Sequence, residues 1–137
     1  MLTIIEKVLF LQDVDIFEHT STEDLSHIAA ITEELTFSAE HTIFKEGDPA
    51  DSMYLITDGQ IKITRQGQTV MLASTKDVFG TWALFDDEPR LVTAETVQES
   101  HLLRIDRDDF YDLLSDHINI TQGVLKMLSK RLRRLVS

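Results

Sequence analysis

No cysteine occurs in the 137-residue sequence, which excludes a disulfide framework, a thiolate metal site and a thiol nucleophile, and removes any redox argument about compartment. Proline is nearly absent as well, with two residues, and glycine is sparse, with five. No Pro/Gly/Ser-rich linker therefore divides the chain, and a single domain over residues 1–137 is expected. Long apolar runs are missing too. The apolar start, Met1 to Leu11, is broken by Glu6 and Lys7 and followed by Asp13 and Asp15, so it is too short and too polar for a membrane span or a signal segment. It reads as an amphipathic helix. Basic residues are in deficit: 13 stand against 24 acidic ones, for a net charge of −11. Such a field repels nucleic acid and anionic membranes, so neither direct nucleic acid binding nor a membrane span is expected. The cytoplasm is the default expectation.

Several chemistries are missing their residues. The histidines, His19, His27, His41, His101 and His117, form neither an HxH nor an HExxH arrangement, the local spacing that a metal-dependent small β-barrel enzyme would need. No GxSxG, Walker-type loop or glycine-rich dinucleotide turn occurs. The expectation is a protein with no catalytic residue, no metal site and no cofactor, and so not an enzyme.

What is present is an ordinary globular composition, 42% hydrophobic and 27% charged, in three consecutive parts. Residues 1–34 read as helical: Thr20 and Glu23 have the spacing of a capping box, with Leu25, Ile28 and Ala29 on one face of a helix from about Thr22 to Thr32. Residues 35–105 read as β. Turns at Gly47-Asp48-Pro49, Asp58-Gly59 and Gln66-Gly67 punctuate short runs rich in Ile, Val, Thr and Phe, and Ile61 and Ile63 flank Lys62 in strict alternation. Residues 106–137 return to a helical period. Asp106 and Asp109 enrich a first turn ahead of Phe110, Leu113 and Leu114. Leu125, Leu128, Leu132 and Leu135 then form a seam of about two heptads between the basic residues Lys126, Lys130, Arg131, Arg133 and Arg134. That seam suits a lid, a homodimer through the terminal helix, or a solvated helix.

The run GDPADSMYLITDGQIKI, Gly47 to Ile63, resembles the first signature of the cyclic-nucleotide-binding domain family, which includes catabolite-activator-type regulators and regulatory subunits of cyclic-AMP-dependent kinase. A second run, FGTWALFDDEPRLVTA from Phe79 to Ala94, resembles the family's phosphate-binding cassette. The resemblance covers nearly the whole chain. It implies a mainly β fold with flanking helices: a jelly-roll-like double-stranded β-roll of about eight strands, with N-terminal helices and a C-terminal αα extension. It also implies a ligand, cyclic AMP, cyclic GMP or a similar small phosphorylated molecule. Within the cassette the binding residues would be Gly80, Thr81, Trp82, Ala83, Arg90, Leu91 and Val92, with backbone amides at the start of a short helix and the Arg90 guanidinium facing the phosphate.

Two departures stand out. Thr81 occupies the place where the family has a glutamate that accepts from the ribose 2′-hydroxyl. Losing a hydrogen bond to a charged group costs roughly 1.5–3 kcal/mol, about ten- to a hundredfold in affinity. Leu91 and Val92 follow Arg90 where the family favours two small residues. The leading expectation is a ligand-sensing regulatory module that relays binding through its C-terminal helices to an attached effector domain or protein partner. The alternative is a degenerate β-roll without nucleotide binding, acting in interaction or dimerisation. Gly47 and Gly59 are expected to serve the turns, and Trp82, between apolar neighbours, is expected to be core.

Overall fold

The computed structural model describes residues 1–136; Ser137, the last residue of the expected helical extension, lies outside the described residues. Two compact units are present, one of residues 32–108 and one combining residues 1–31 with the chain from residue 109 onwards.

The first unit is the β-roll. Its strands are β1 (Glu33–Phe37), β2 (Thr42–Phe44), β3 (Ser52–Asp58), β4 (Gln60–Arg65), β5 (Gln68–Ser74), β6 (Val78–Phe79), β7 (Thr93–Thr96) and β8 (Ser100–Asp106). They form two four-stranded antiparallel sheets, ordered β1-β8-β3-β6 and β2-β7-β4-β5. The mainly β architecture with flanking helices expected from the sequence is thus observed. Alternation does the sorting within the strands: Ile61 and Ile63 of β4, opposite Thr96 and Ala94 of β7, turn inward and are buried, while Lys62 between them is only half-buried. With Phe44, Tyr54, Ile56, Ala73, Phe79 and Leu102 they make one apolar cluster. The chain passes from the first sheet to the second through the β3–β4 turn, where Gly59 adopts φ +122°.

In the second unit, α1 (Ile4–Leu11), α2 (Thr22–Ala30) and α4 (Ile118–Val136), with most of α3 (Arg107–Asp116), bury Leu11, Phe17, Leu25, Ile28, Phe110, Ile120, Val124 and Met127. The expected amphipathic start is α1, closed by a full capping box between Thr3 and Glu6. The cap of α2 differs from the expectation by one residue. Ser21, extended at φ −66° and ψ 160°, accepts from the Asp24 amide at 3.1 Å, whereas the Thr20 amide is spent on the Phe17 carbonyl in the preceding turn. A cap residue must leave the helical backbone region, as Ser21 does. The Thr20 hydroxyl is left buried without a partner. Thr20→Val removes that orphan at nearly constant shape, and urea unfolding should show a gain of about 1 kcal/mol.

The leucine seam, for which a solvated helix was one of the three readings, lies mostly on the exposed side of α4. α4 buries Ile120, Gly123, Val124 and Met127, while Leu125, Leu132 and Leu135 are exposed. Gly123 fixes this choice: a Cβ there would lie 2.8 Å from the His19 carbonyl oxygen, so the bare backbone admits the neighbouring chain. Lys130 and Arg131 then reach Glu18 and Asp15 at 3.1 and 3.2 Å. Lys130 holds the Glu18 carboxyl below its ordinary pKa.

Candidate ligand site

Arg90 is the centre of the site because the first motif pins its backbone. The Gly47 amide donates to the Arg90 carbonyl at 2.8 Å, and the Arg90 amide donates to the Asp48 carbonyl at 2.9 Å. The turn itself is closed by the Asp48 carboxylate, which accepts from the Lys45 amide at 2.9 Å. Gly47 holds φ +86° in this turn, a conformation that side-chain-bearing residues resist. The two sequence motifs therefore fold into one place.

Locked at its backbone, the Arg90 side chain runs inward and is only 7% exposed. Its guanidinium lies over the Phe44 ring, 4.0 Å from the centroid, and Nη2 donates to the Ser52 carbonyl at 2.9 Å. Asp51 is 3.9 Å away. Nε is buried and has no partner. Desolvation pulls the Arg90 pKa below its ordinary value, opposed by Tyr54 and Asp51; a guanidinium nonetheless keeps its proton at neutral pH. A buried cation with an unspent donor is costly unless an anion meets it.

The second wall is a single 3-10 turn, Thr81–Leu84, entered through Gly80 at φ +75°. A Cβ on Gly80 would lie 2.6 Å from Arg90 Nη1 and 3.2 Å from the Ser52 carbonyl oxygen, so glycine is what lets the turn and the guanidinium approach. Within the turn the Ala83 amide donates to the Gly80 carbonyl at 3.1 Å. Between turn and arginine lies a cavity of about 390 Å³, lined by Phe44, Ala50, Gly80, Trp82, Ala83, Asp86, Glu88, Pro89, Arg90, Leu91 and Val92. That volume falls within the roughly 300–1,000 Å³ usual for small-molecule sites.

The structure brings six of the seven residues singled out from the sequence, Gly80, Trp82, Ala83, Arg90, Leu91 and Val92, to this one cavity wall. Thr81 is half-buried in the same turn but is not part of the lining. Trp82 corrects the core expectation, since it is 60% exposed. A one-turn 3-10 helix repeats every three residues, and here its inward positions go to Ala83 and Leu84. Leu91 is exposed and Val92 packs half-buried against the roll's apolar cluster.

Sequence reasoning missed Arg107. Its Nη1 donates to the carbonyls of Ala50, Asp86 and Ala83 at 2.8, 2.7 and 3.3 Å, and its amide donates to Asp51. One guanidinium, at the first residue of α3, thus ties the C-terminal side of the cassette turn to Ala50. No local motif marks it, because all its partners are backbone. Arg104 also lies close, shared between Asp51 at 3.6 Å and Asp106 at 3.4 Å. Burial lowers its pKa, but Tyr54, Asp51, Asp106 and Glu33 outweigh that and hold it above the ordinary value.

Comparison with known proteins places the chain among relatives of the same fold. The family model described as cyclic nucleotide-binding domain matches residues 34–117. Over 117 residues the chain is 35% identical to a CRP-like cAMP-activated global transcriptional regulator of Mycobacterium tuberculosis, covering 80% of this chain and 52% of that protein. It is 33% identical over 113 residues to a cAMP-dependent protein kinase regulatory subunit of Emericella nidulans, covering 81% of this chain and 27% of that protein. The chain thus spans about half the length of the first of these relatives, and less of the second. Among solved structures, the N-terminal domain of a transcriptional regulator from Streptomyces coelicolor superposes with a TM-score of 0.88 at 26% identity, over 92% of this chain and 94% of that one. Among the described residues, no helix is long and apolar enough to cross a membrane.

Proposed function

The chain belongs to the cyclic nucleotide-binding domain family, and on that premise we propose that it is a sensing module for a cyclic nucleotide, cyclic AMP or cyclic GMP. The Arg90 guanidinium and the amides of Gly80, Thr81 and Trp82 would meet the cyclic phosphate. The observation that carries this reading is the buried Arg90 with an unpartnered Nε at the wall of a ligand-sized cavity. Its guanidinium is held by the fold beside a space where an anion fits. Arg107 gives the relay a physical route. Any shift of the cassette turn pulls on the carbonyls of Ala83 and Asp86, and hence on the first residue of α3. Output passes to an attached effector domain or protein partner, provided the ligand prefers one arrangement of that helix.

Calorimetric titration of cyclic AMP and cyclic GMP into the purified chain, at fixed salt, tests the proposal. One molecule of at least one of them should bind per chain. No heat from either up to several hundred micromolar, a Kd range worth only about 4–5 kcal/mol, would refute it. Thr81 should make the affinity modest, and Thr81→Glu should tighten it by about ten- to a hundredfold by restoring a charged acceptor for the ribose. An unchanged affinity would show that Thr81 does not face the sugar.

A second reading has its own support. Asp86 and Glu88 line the cavity together with Arg90, and negative charges near the site oppose a phosphate. The exposed Leu125, Leu132 and Leu135 of α4 would then serve an interaction or homodimer surface. Size by light scattering, with Leu132→Asp as control, distinguishes the two.

A further inference from the structure

The helical unit holds a cluster that no local motif announces. Asp24 and His27 stand one turn apart on the same face of α2, and His117 occupies the junction between α3 and α4. One ligand atom from each lies within 4.8 Å of the other two. The two imidazoles stack, with centroids 4.2 Å apart and planes 26° from parallel. All three side chains are half-buried. The backbone around them is firmly held. The His117 amide donates to the Leu113 carbonyl at 2.9 Å, its carbonyl accepts from the Ile120 amide at 3.1 Å, and the Thr121 hydroxyl ties α4 to the Leu114 carbonyl at 2.9 Å. Ser21 fixes the first turn of α2 through the Asp24 amide.

We propose that Asp24, His27 and His117 form a binding site for a divalent first-row transition metal ion, with zinc the best fit. Two imidazoles and one carboxylate are the borderline nitrogen and oxygen donors that zinc prefers, and three protein ligands leave a fourth tetrahedral position for water. Donor atoms around tetrahedral zinc lie about 3.4 Å apart, so closing the cluster takes shifts of up to about 1.4 Å, with the two stacked imidazoles turning out of parallel so that their lone pairs meet. Among the described residues, no hydrogen bond or ion pair joins the three to one another. Their donor atoms lie close together without satisfying each other, so a cation that turns the two rings toward it would give them a shared partner. The chain's net charge of −11 adds a favourable field for a dication. Bound metal would cross-link α2 to the α3–α4 junction inside the helical unit, at the root of the long terminal helix.

Zinc chloride titrated by calorimetry into the metal-stripped full chain should show one ion bound per chain. His117→Gln and Asp24→Asn should each weaken it by at least about tenfold, whereas His41→Gln, on the roll, should bind as the parent does. Zinc should also raise the melting temperature of the parent and of His41→Gln, but not that of the two site variants. Far-UV circular dichroism confirms that each variant is folded, and either site variant alone suffices if the other is not. Absence of binding below about 100 µM, or equal loss in the His41→Gln control, overturns the site. So does undiminished binding in a folded site variant, which would mean adventitious surface coordination only.

Discussion

Replacing Arg90 with alanine is expected to weaken cyclic nucleotide binding by at least about a hundredfold. A guanidinium that meets a phosphate makes charge-assisted hydrogen bonds, each worth roughly 1.5–3 kcal/mol, and losing two exceeds the 2.8 kcal/mol or so that corresponds to a hundredfold. No neighbour can substitute: Arg104 is held by Asp51 and Asp106, and Arg107 is spent on three carbonyls. Arg90→Lys keeps the charge but not the fork, and should fall between parent and alanine variant. Because Arg90 also covers the Phe44 ring and donates to Ser52, urea unfolding must first show that the alanine variant is folded. Calorimetry at two salt concentrations completes the test, since the arginine contribution is screened by salt and the variant should lose that dependence. Parent-like affinity in a folded Arg90→Ala protein would remove the phosphate role and favour the interaction-surface reading.

Gly59→Ala is expected to destabilise the roll by roughly 3 kcal/mol or more, among the largest effects of any single methyl group in this chain. Two costs coincide there. The residue holds φ +122°, where an L side chain is strained, and an added Cβ would sit 2.6 Å from Ser100 Cβ and 2.7 Å from its Cα, which cannot rotate away. Gly47 is the internal comparison. It too has positive φ, +86°, but open space surrounds its missing side chain, so Gly47→Ala should cost only the backbone penalty of about 1–2 kcal/mol. Urea midpoints for the two variants, with the slope checked for two-state behaviour, measure the difference. Equal costs would mean that β8 moves to accommodate the methyl group.

Both glycines belong to one sequence motif, and their different surroundings show where reading a sequence stops. A turn is local: Asp58-Gly59 and Gly47-Asp48-Pro49 announce themselves, as does the alternation of Ile61 and Ile63, because neighbouring residues alone decide them. What lies across a turn is not local. Ser100 packs on Gly59, and nothing near either residue says so. The cap of α2 was readable to within one residue, since Thr20 and Ser21 both precede acidic residues at suitable spacing. Only the preceding turn, which takes the Thr20 amide, decides between them. The leucine seam shows the same limit: a heptad pattern reveals stripes on a helix, but the stripe that is buried is the one beside Gly123.

The sequence by itself determined the element types, the glycine-pinned turns, the resemblance to a phosphate-binding cassette and the choice of Arg90 as its cation. The element types and turns follow from residue spacing within a few turns or strands, whereas the cassette and the place of Arg90 in it are what the family resemblance implies. Tertiary structure alone decided that Arg90 is buried on Phe44, that Arg107 ties the cassette turn to Ala50, and that Asp24, His27 and His117 lie close together. The physical reason is that backbone conformation depends mostly on near neighbours, whereas burial and pairing depend on which distant segments the closed fold brings within a few ångströms.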